Sequence, residues 1–510
     1  MDAPVGRAAS PRPVPPAACV PHSESKGTTV AYADGCYVGK RVKLELLSRE
    51  QVRTIHESTL DVIADVGVKF HSRKALDILA EHGAIVDYES TVAKIPADVV
   101  EQALAGVPEK FVLGARNPDY DLPLDGEHMY ISSDGSGLSF RDFDGTIRSS
   151  RKDDLANCAN VVQALDHVSA TSAVVSAQDC PVETRVLHEF DACVRNSEKH
   201  NIVVSIKEDW EARSLIEMAA ALAGGADELR RRPMFTAIIC TVSPLHQERF
   251  GMDLALTVAE AGIPISFYHM PILGATGPVT IAGSAVVNNA ELVSGTVLVQ
   301  LAHPGARVIH GGGPTAMYMN SGAYASNSPE AILLRSIQGH MADFYKMPAW
   351  YGAGATTAKE PGVQSTYENT IAMFMAYANG ADVTFGTGLL DGSRILCLEN
   401  MVVDNEILGM VKRILRGVEV SDETLAVGLI KKMGFNGNYL FDSHTRKHVR
   451  ELWQAQLGDT GTFEAWRAAG QKSTIDKAQD KVREILAAPA VEFPADLGRE
   501  FDAIIAAAGK

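Results

Sequence analysis

Aromatic residues make up only 6% of the 510-residue sequence, and Lys plus Arg number 47 against 63 Asp plus Glu, a formal charge of −16. An acidic chain repels phosphate backbones and anionic lipid, which argues against nucleic acid and membrane surfaces as partners. A cationic or neutral ligand, or a basic protein, suits it better. Cysteine is scarce: Cys19, Cys36, Cys158, Cys180, Cys193, Cys240 and Cys397 are odd in number, scattered and never spaced C-x-x-C. That excludes a zinc ribbon or thioredoxin-type site and fits a reduced, cytoplasmic setting. Most read as small buried hydrophobes, with Cys180 alone a candidate for reactivity. Long apolar runs are missing too. The stretch 281–301 is interrupted by Asn288, Asn289, Glu291 and Gln300, so no segment reaches the ~18 clean apolar residues of a membrane span. Phosphate motifs fail in detail. Gly311-Gly312-Gly313 lacks the lysine of a P-loop, and Gly135-Ser136-Gly137 leads into a strand pattern instead of a helix.

What is present describes a globular protein. A composition 46% hydrophobic and 22% charged allows a large core. Forty-three glycines beside few aromatics point to an aliphatic sheet with many tight turns. Six prolines by Pro21 make 1–40 a disordered Pro-rich leader and not a signal peptide. Residues 41–150 read as N-terminal helices and β-ribbons. Ser48 is placed as an N-cap ahead of Val52, Ile55, Leu60, Ile63 and Val66 at helical spacing, and short strands and turns fill 95–148. Within 151–410, β-branched runs at 168–176, 202–206, 235–242, 263–267, 306–310, 349–351 and 382–386 alternate with helical stretches. An eighth run is expected at 395–398. Such units predict a TIM (β/α)8 barrel, with an open doubly wound sheet as the alternative. The tail, 411–510, reads as a helical appendage with Trp453 and Trp466 at amphipathic positions. Barrels of this size often associate, so a homo-oligomer is expected.

In a TIM barrel the chemistry sits where strands run into the following loops. Those points carry Gln178 and Asp179, then Phe267, Tyr268, His269 and Met270, then His310 with Tyr318 and Tyr324 in the long loop beyond. Trp350 and Tyr351 follow, with Thr356, Thr357, Lys359 and Gln364, and then Asp391. Phe267, Tyr268, Tyr318, Tyr324, Trp350 and Tyr351 are a large share of the few aromatics. Their gathering suits a quaternary ammonium, which aromatic faces hold at ~0.5–2 kcal/mol per contact. For any single aromatic, core packing is the commoner reading; the cluster is the signal. His269 and His310 stand at strand ends without H-x-H or H-E-x-x-H spacing, so a substrate-orienting role is expected and a bound metal is not. His444 and His448 share a helix face with Arg446, Lys447 and Arg450 nearby and read as solvated surface. A Schiff-base aldolase would need a lysine ending a strand. Lys207 is the nearest, and Glu208-Asp209 follow it.

The run Met270-Pro271, Gly274-Ala275-Thr276-Gly277-Pro278, Gly283 and Asn289-Ala290-Glu291 resembles the trimethylamine methyltransferase family. So do Ser328-Pro329-Glu330-Ala331, Gln364 with Tyr367-Glu368, Gly388-Leu389-Leu390-Asp391, and Leu398-Glu399-Asn400-Met401 with Val402-Val403-Asp404-Asn405-Glu406. The resemblance implies a TIM barrel whose mouth receives a methylated amine. It implies also a separate corrinoid protein that docks there, its Co(I) taking the methyl group. The cobalamin is thus supplied by that partner, and no cofactor is held tightly by this chain. Archaeal trimethylamine enzymes carry pyrrolysine in the loop after the sixth strand, at the position of Thr357 here. With threonine there, the chain resembles the branch of glycine betaine methyltransferases and relatives acting on proline betaine, carnitine or γ-butyrobetaine.

On this resemblance Phe267, Tyr268, Trp350 and Tyr351 are expected as cage walls, Tyr318 and Tyr324 as lids, and His269 beside them. His310 and Gln364 are expected to orient substrate and Thr357 to leave room for it, as the catalytic set. Gln178, Asp179, Lys359, Asp391 and Glu399 are expected behind these residues or against the corrinoid partner. The alternatives are a methyltransferase for another methylated amine or a sulfonium, and a non-catalytic betaine-binding protein.

Overall fold

The computed structural model describes residues 42–508 except Asp134, Ser136 and Ser205, so the leader expected at 1–40 lies outside the described residues. Eight βα units follow one another along the chain. They are β1 (Tyr130–Ser133) with α1 (Lys152–Ala164), β2 (Ala170–Ser172) with α2 (Arg185–Asn196), β3 (His200–Val203) with α3 (Asp209–Ala223), and β4 (Phe235–Cys240) with α4 (Arg249–Glu260). Then come β5 (Ile265–Tyr268) with α5 (Ile281–Ala302), β6 (Val308–Gly312) with α6 (Pro329–Tyr345), β7 (Ala349–Gly352) with α7 (Val363–Ala378), and β8 (Val383–Thr387) with α8 (Leu398–Leu415). The strands are parallel neighbours in sequence order. β8 meets β1 with Val383 opposite Tyr130 and Thr384 opposite Ile131, which closes a TIM barrel.

Two expectations need correction. β1 belongs to the segment 41–150 read as lying outside the barrel, so the barrel begins before residue 151. The strand expected at 395–398 is not one of the eight: Ile395–Leu396 pairs with Leu389–Leu390 and Ser139–Arg141 in a small sheet beside the barrel. The reason is local. β1 is four residues long, and the hairpin of Ser139–Arg141 with Ile147–Ser149 separates it from α1, so the strand-then-helix rhythm is interrupted there.

Successive side chains on a strand point to opposite faces, so one set fills the barrel and the other meets the helices. The inner set includes Ile202, Ile238, Ile309, Trp350, Val383 and Phe385, joined by Leu113, Leu122 and Leu124 from the ribbon Phe111–Leu113 with Leu122–Leu124. His200, the first residue of β3, has Nδ1 2.7 Å from the Gly114 carbonyl. The ribbon therefore plugs the N-terminal end of the barrel. α5 is buried on nearly every side, its Asn288, Asn289, Glu291 and Gln300 included, because it is covered twice, by β5 and β6 inside and by helices Arg49–Asp61 and Ala97–Ala105 outside. Among the described residues it is the one helix long and apolar enough to cross a membrane, and most of it is buried in the protein.

The helix Arg49–Asp61 starts at Ser48 as the sequence predicts. Ser48 Oγ accepts from the Gln51 amide at 3.2 Å while Gln51 Oε1 accepts from the Ser48 amide at 2.8 Å, a reciprocal cap. In the tail, helix Thr474–Ala487 packs on α8 and α1, and Ala495–Ala508 on α3. Trp453 rests on α8 at Gly409, where a Cβ would come within 2.4 Å of the indole.

Candidate active site

At the C-terminal end of the barrel lies a cavity of about 250 Å³. Ser132 and Ser133 (β1), Ser172 (β2), Ile202 (β3), Ile238 and Cys240 (β4), Tyr268 (β5), Trp350 (β7) and Phe385 (β8) form its wall, and Met270, Tyr324 and 392–394 its rim. The rings of Tyr268 and Phe385 meet at 5.1 Å and 60°. Strand alternation splits the expected cage. Tyr268 and Trp350 face the cavity, whereas their chain neighbours Phe267 and Tyr351 face the helices. Phe267 lies against α5, where a Cβ on Gly295 would sit 3.1 Å from its ring. The Tyr351 hydroxyl donates to the Ala376 carbonyl of α7 at 2.8 Å. Tyr324 reaches the rim from the hairpin Ala316–Tyr318 with Ala323–Ala325, while Tyr318 on the same hairpin is exposed and off the cavity.

Glycine at the end of β6 serves close approach. A Cβ at Gly311 would fall 1.6 Å from the Trp350 carbonyl oxygen, and one at Gly313 would fall 2.2 Å from the Tyr268 hydroxyl. The string Gly311-Gly312-Gly313 thus lets β6 pass β7 and leaves Tyr268 its room.

The loop after β7 is organised by a carboxylate. Glu368 of α7 accepts from Thr356 Oγ1 at 2.6 Å, the Thr357 amide at 2.8 Å, Thr357 Oγ1 at 3.0 Å and Gln364 Nε2 at 2.7 Å. Burial pushes the Glu368 carboxyl upward, but the donors from Thr356, Gln364 and Thr357 outweigh it and hold it below the usual range. Thr357 and Gln364 are therefore brought together, on Glu368 and not on the cavity. This loop is tied to the next one. Lys359 Nζ pairs with Asp391, whose amide donates to the Ala358 carbonyl at 2.8 Å, and Gly392 donates to the Thr356 carbonyl at 2.8 Å. Arg394 Nη1 lies 3.6 Å from the other Asp391 oxygen.

The two strand-end histidines sit in the helix layer. His269 Nδ1 is hydrogen-bonded to Thr241 Oγ1 and lies 3.3 Å from Glu291 Oε2 of α5. Glu291 also accepts from Ser243 Oγ and the Leu245 amide, each at 2.7 Å. His310 stacks edge-on against Tyr345 at 5.5 Å, and burial with His269 nearby pushes its pKa down to about 3. It is a neutral imidazole behind the barrel wall, which corrects its expected place beside the substrate. Gln178 and Asp179 brace the β1 hairpin. Gln178 donates to the Leu138 carbonyl at 2.6 Å, and Asp179 Oδ1 caps α1 through the Lys152 amide at 2.8 Å. Glu399 is buried and paired with Arg141. Cys180 is no activated thiol, since burial pushes its pKa up. Among the described residues no three His, Cys, Asp or Glu side chains are placed to hold a metal.

Sequence reasoning missed Ser132, Ser133, Ser172, Phe385 and Arg394 as cavity residues. Phe385 carried a signal, lying two residues after Val383 in a recognised strand. The serines of β1 carried none once that strand was read as ribbon.

A family model described as Trimethylamine methyltransferase (MTTB) matches residues 24–507. The trimethylamine methyltransferase MttB of Desulfitobacterium hafniense is 34% identical over 440 residues, covering 86% of this chain and 88% of that one. MttB of Methanosarcina barkeri is 31% identical over 478 residues, 92% and 96% of the two chains. A glycine betaine methyltransferase of D. hafniense is 29% identical over 475 residues, 92% and 98%. The crystal structure of the Methanosarcina barkeri monomethylamine methyltransferase (MtmB) superposes with a TM-score of 0.48 at 13% identity, covering 89% of this chain and 97% of that one. With the family model spanning all but the two ends, the chain belongs to the trimethylamine methyltransferase family and is a methyltransferase.

Proposed function

We propose that this enzyme moves a methyl group from a quaternary amine of the glycine betaine type to the Co(I) of a cognate corrinoid protein in the cytoplasm. The observation that carries the reading is the barrel cavity, where Tyr268, Trp350, Phe385 and Tyr324 converge on a space of about 250 Å³. That is below the ~300–1,000 Å³ of sites for drug-sized ligands, so a small substrate fits. The aromatic faces hold the N-methyl groups without a base to compete for them. The rim residues Met270, Tyr324 and Arg394 are exposed, which suits a carrier protein presenting its corrinoid from outside.

The bound corrinoid supplies a Co(I) nucleophile and accepts the methyl group. The chain's own residues orient and dry the donor. The N–CH₃ bond breaks with its electron pair left on nitrogen, so the leaving amine is neutral and no proton has to move. Holding the methyl in line is then the main contribution, and a fixed aromatic wall provides it. Thr357 suits this reading, because its amide and hydroxyl are taken by Glu368 and present no adduct-forming group to the substrate.

Incubation with cob(I)alamin and glycine betaine is expected to give the absorbance of methylcobalamin together with dimethylglycine. Tyr268→Ala and Trp350→Ala are each expected to weaken betaine binding roughly 2- to 30-fold, the range of one lost cation–π contact. Betaine binding without methyl transfer to any corrinoid would reduce the protein to a binding module. Transfer from trimethylamine but from no quaternary amine would reassign the substrate.

A further inference from the structure

The charge around the cavity says more about the substrate than its aromatic wall does. Among the described residues lining it, Arg394 is the only charged one. Its side chain is 79% exposed at the rim and pairs with one acid, Asp391, whose Oδ2 lies 3.6 Å from Nη1. That acid is shared, since Lys359 holds its other oxygen. Exposure on that scale leaves guanidinium N–H groups within reach of a ligand. A second cation stands close behind. Arg335 of α6 is buried and donates to the Ser326 carbonyl at 2.6 Å and Asn327 Oδ1 at 2.8 Å, with no carboxylate in salt-bridge reach among the described residues. Its electrostatic neighbours include Tyr268 and Tyr324, both of which line the cavity. Such a site repels a simple ammonium at its rim while its aromatic wall attracts one.

Resting on the quaternary-amine reading, we propose that Arg394 recognises a carboxylate, so that the site selects zwitterions with a trimethylammonium at one end and a carboxylate at the other. Aromatic rings take the cationic end and Arg394 the anionic end. The two interactions together point the N-methyl groups inward in a single orientation. A guanidinium also matches a carboxylate in geometry, offering two parallel N–H donors to its two oxygens. Asp391, held by Lys359, keeps the guanidinium at the rim without occupying it.

Three ligands separate the contributions: glycine betaine, choline, which keeps the quaternary ammonium but has a hydroxymethyl in place of the carboxylate, and trimethylamine. Calorimetric titration of the wild-type chain is expected to rank glycine betaine about tenfold or more above choline, as for a lost charged hydrogen bond. Arg394→Ala is expected to remove that preference by weakening glycine betaine alone, and Arg394→Lys to restore part of it. Arg394 lies outside the core, so both variants keep the fold. Equal wild-type affinity for choline and glycine betaine would overturn the role of Arg394 and leave the quaternary-amine reading standing. An equal loss of both ligands in Arg394→Ala, or no loss of either, would also overturn it. Failure to bind any of the three would overturn both.

Discussion

Along β5 and β7 two pairs of neighbouring aromatics divide their duties by the pleat of the strand. Phe267 and Tyr351 hold the helices against the barrel, while Tyr268 and Trp350 face the cavity. The sequence showed aromatics at strand ends, but which of two adjacent residues faces inward depends on register, and a one-residue shift reverses it. Stability and binding should therefore separate by position. Phe267→Ala is expected to cost about 3–5 kcal/mol as a cavity-forming core change, and Tyr351→Phe about 1 kcal/mol for one buried hydrogen bond. Both should leave ligand affinity within twofold, and Tyr268→Ala should do the reverse. Urea unfolding beside calorimetry checks this. A Tyr351→Phe variant that loses affinity as Trp350→Ala does would put the pleat argument out of register.

At the scale of elements, seven of the eight strands were legible, because a β-branched run followed by an amphipathic helix repeats on a regular spacing. β1 was not. It is four buried residues whose partner strands, β8 and β2, lie far along the chain, and a hairpin intervenes before its helix. Pairing of that kind leaves no local trace. Gly311 and Gly312 read as a backbone turn in the sequence but are the last two residues of β6. Their role was not legible because the carbonyl and phenol that Gly311 and Gly313 accommodate come from β7 and β5. The two contacts predict different outcomes. Gly311→Ala meets immovable backbone at 1.6 Å and is expected to lose several kcal/mol of stability, with little soluble protein. Gly313→Ala meets the far end of the Tyr268 side chain at 2.2 Å. It should fold and bind a quaternary amine more weakly, as the ring turns away from the cavity. Wild-type affinity in Gly313→Ala would show that Tyr268 needs no room there.

For the molecule as a whole, acid is the condition most able to loosen the barrel, and histidine sets where. His200 opens β3, His310 lies in β6 and His167 precedes β2, so the three are tied to separate parts of one closed sheet. Burial, with Lys412 and Lys199 nearby, pushes His167 down to about 3; burial pushes His200 down to about 4; and burial with His269 nearby pushes His310 down to about 3. In the unfolded chain each titrates near 6.5. Between that value and the folded one, the unfolded state binds protons that the native state refuses. Stability is then full above about pH 6.5 and falls with pH, by up to about 1.4 kcal/mol per pH unit for each histidine. Most carboxylates titrate near 4, but burial pushes Asp404 up to about 7. Over the interval from pH 6.5 to 5 this one acid takes up a proton in the folded barrel and offsets the loss from one histidine, while the remaining histidines set the net fall. Urea unfolding of the wild type at pH 7.5, 6.5 and 5.5 is expected to show little change over the first step and a clear loss over the second. In His310→Gln the loss over the second step should be smaller, because one proton acceptor of the unfolded chain is gone. An identical acid slope in the two proteins would mean that His310 takes up its proton in the folded barrel, and that the space between β6 and α6 is open to water.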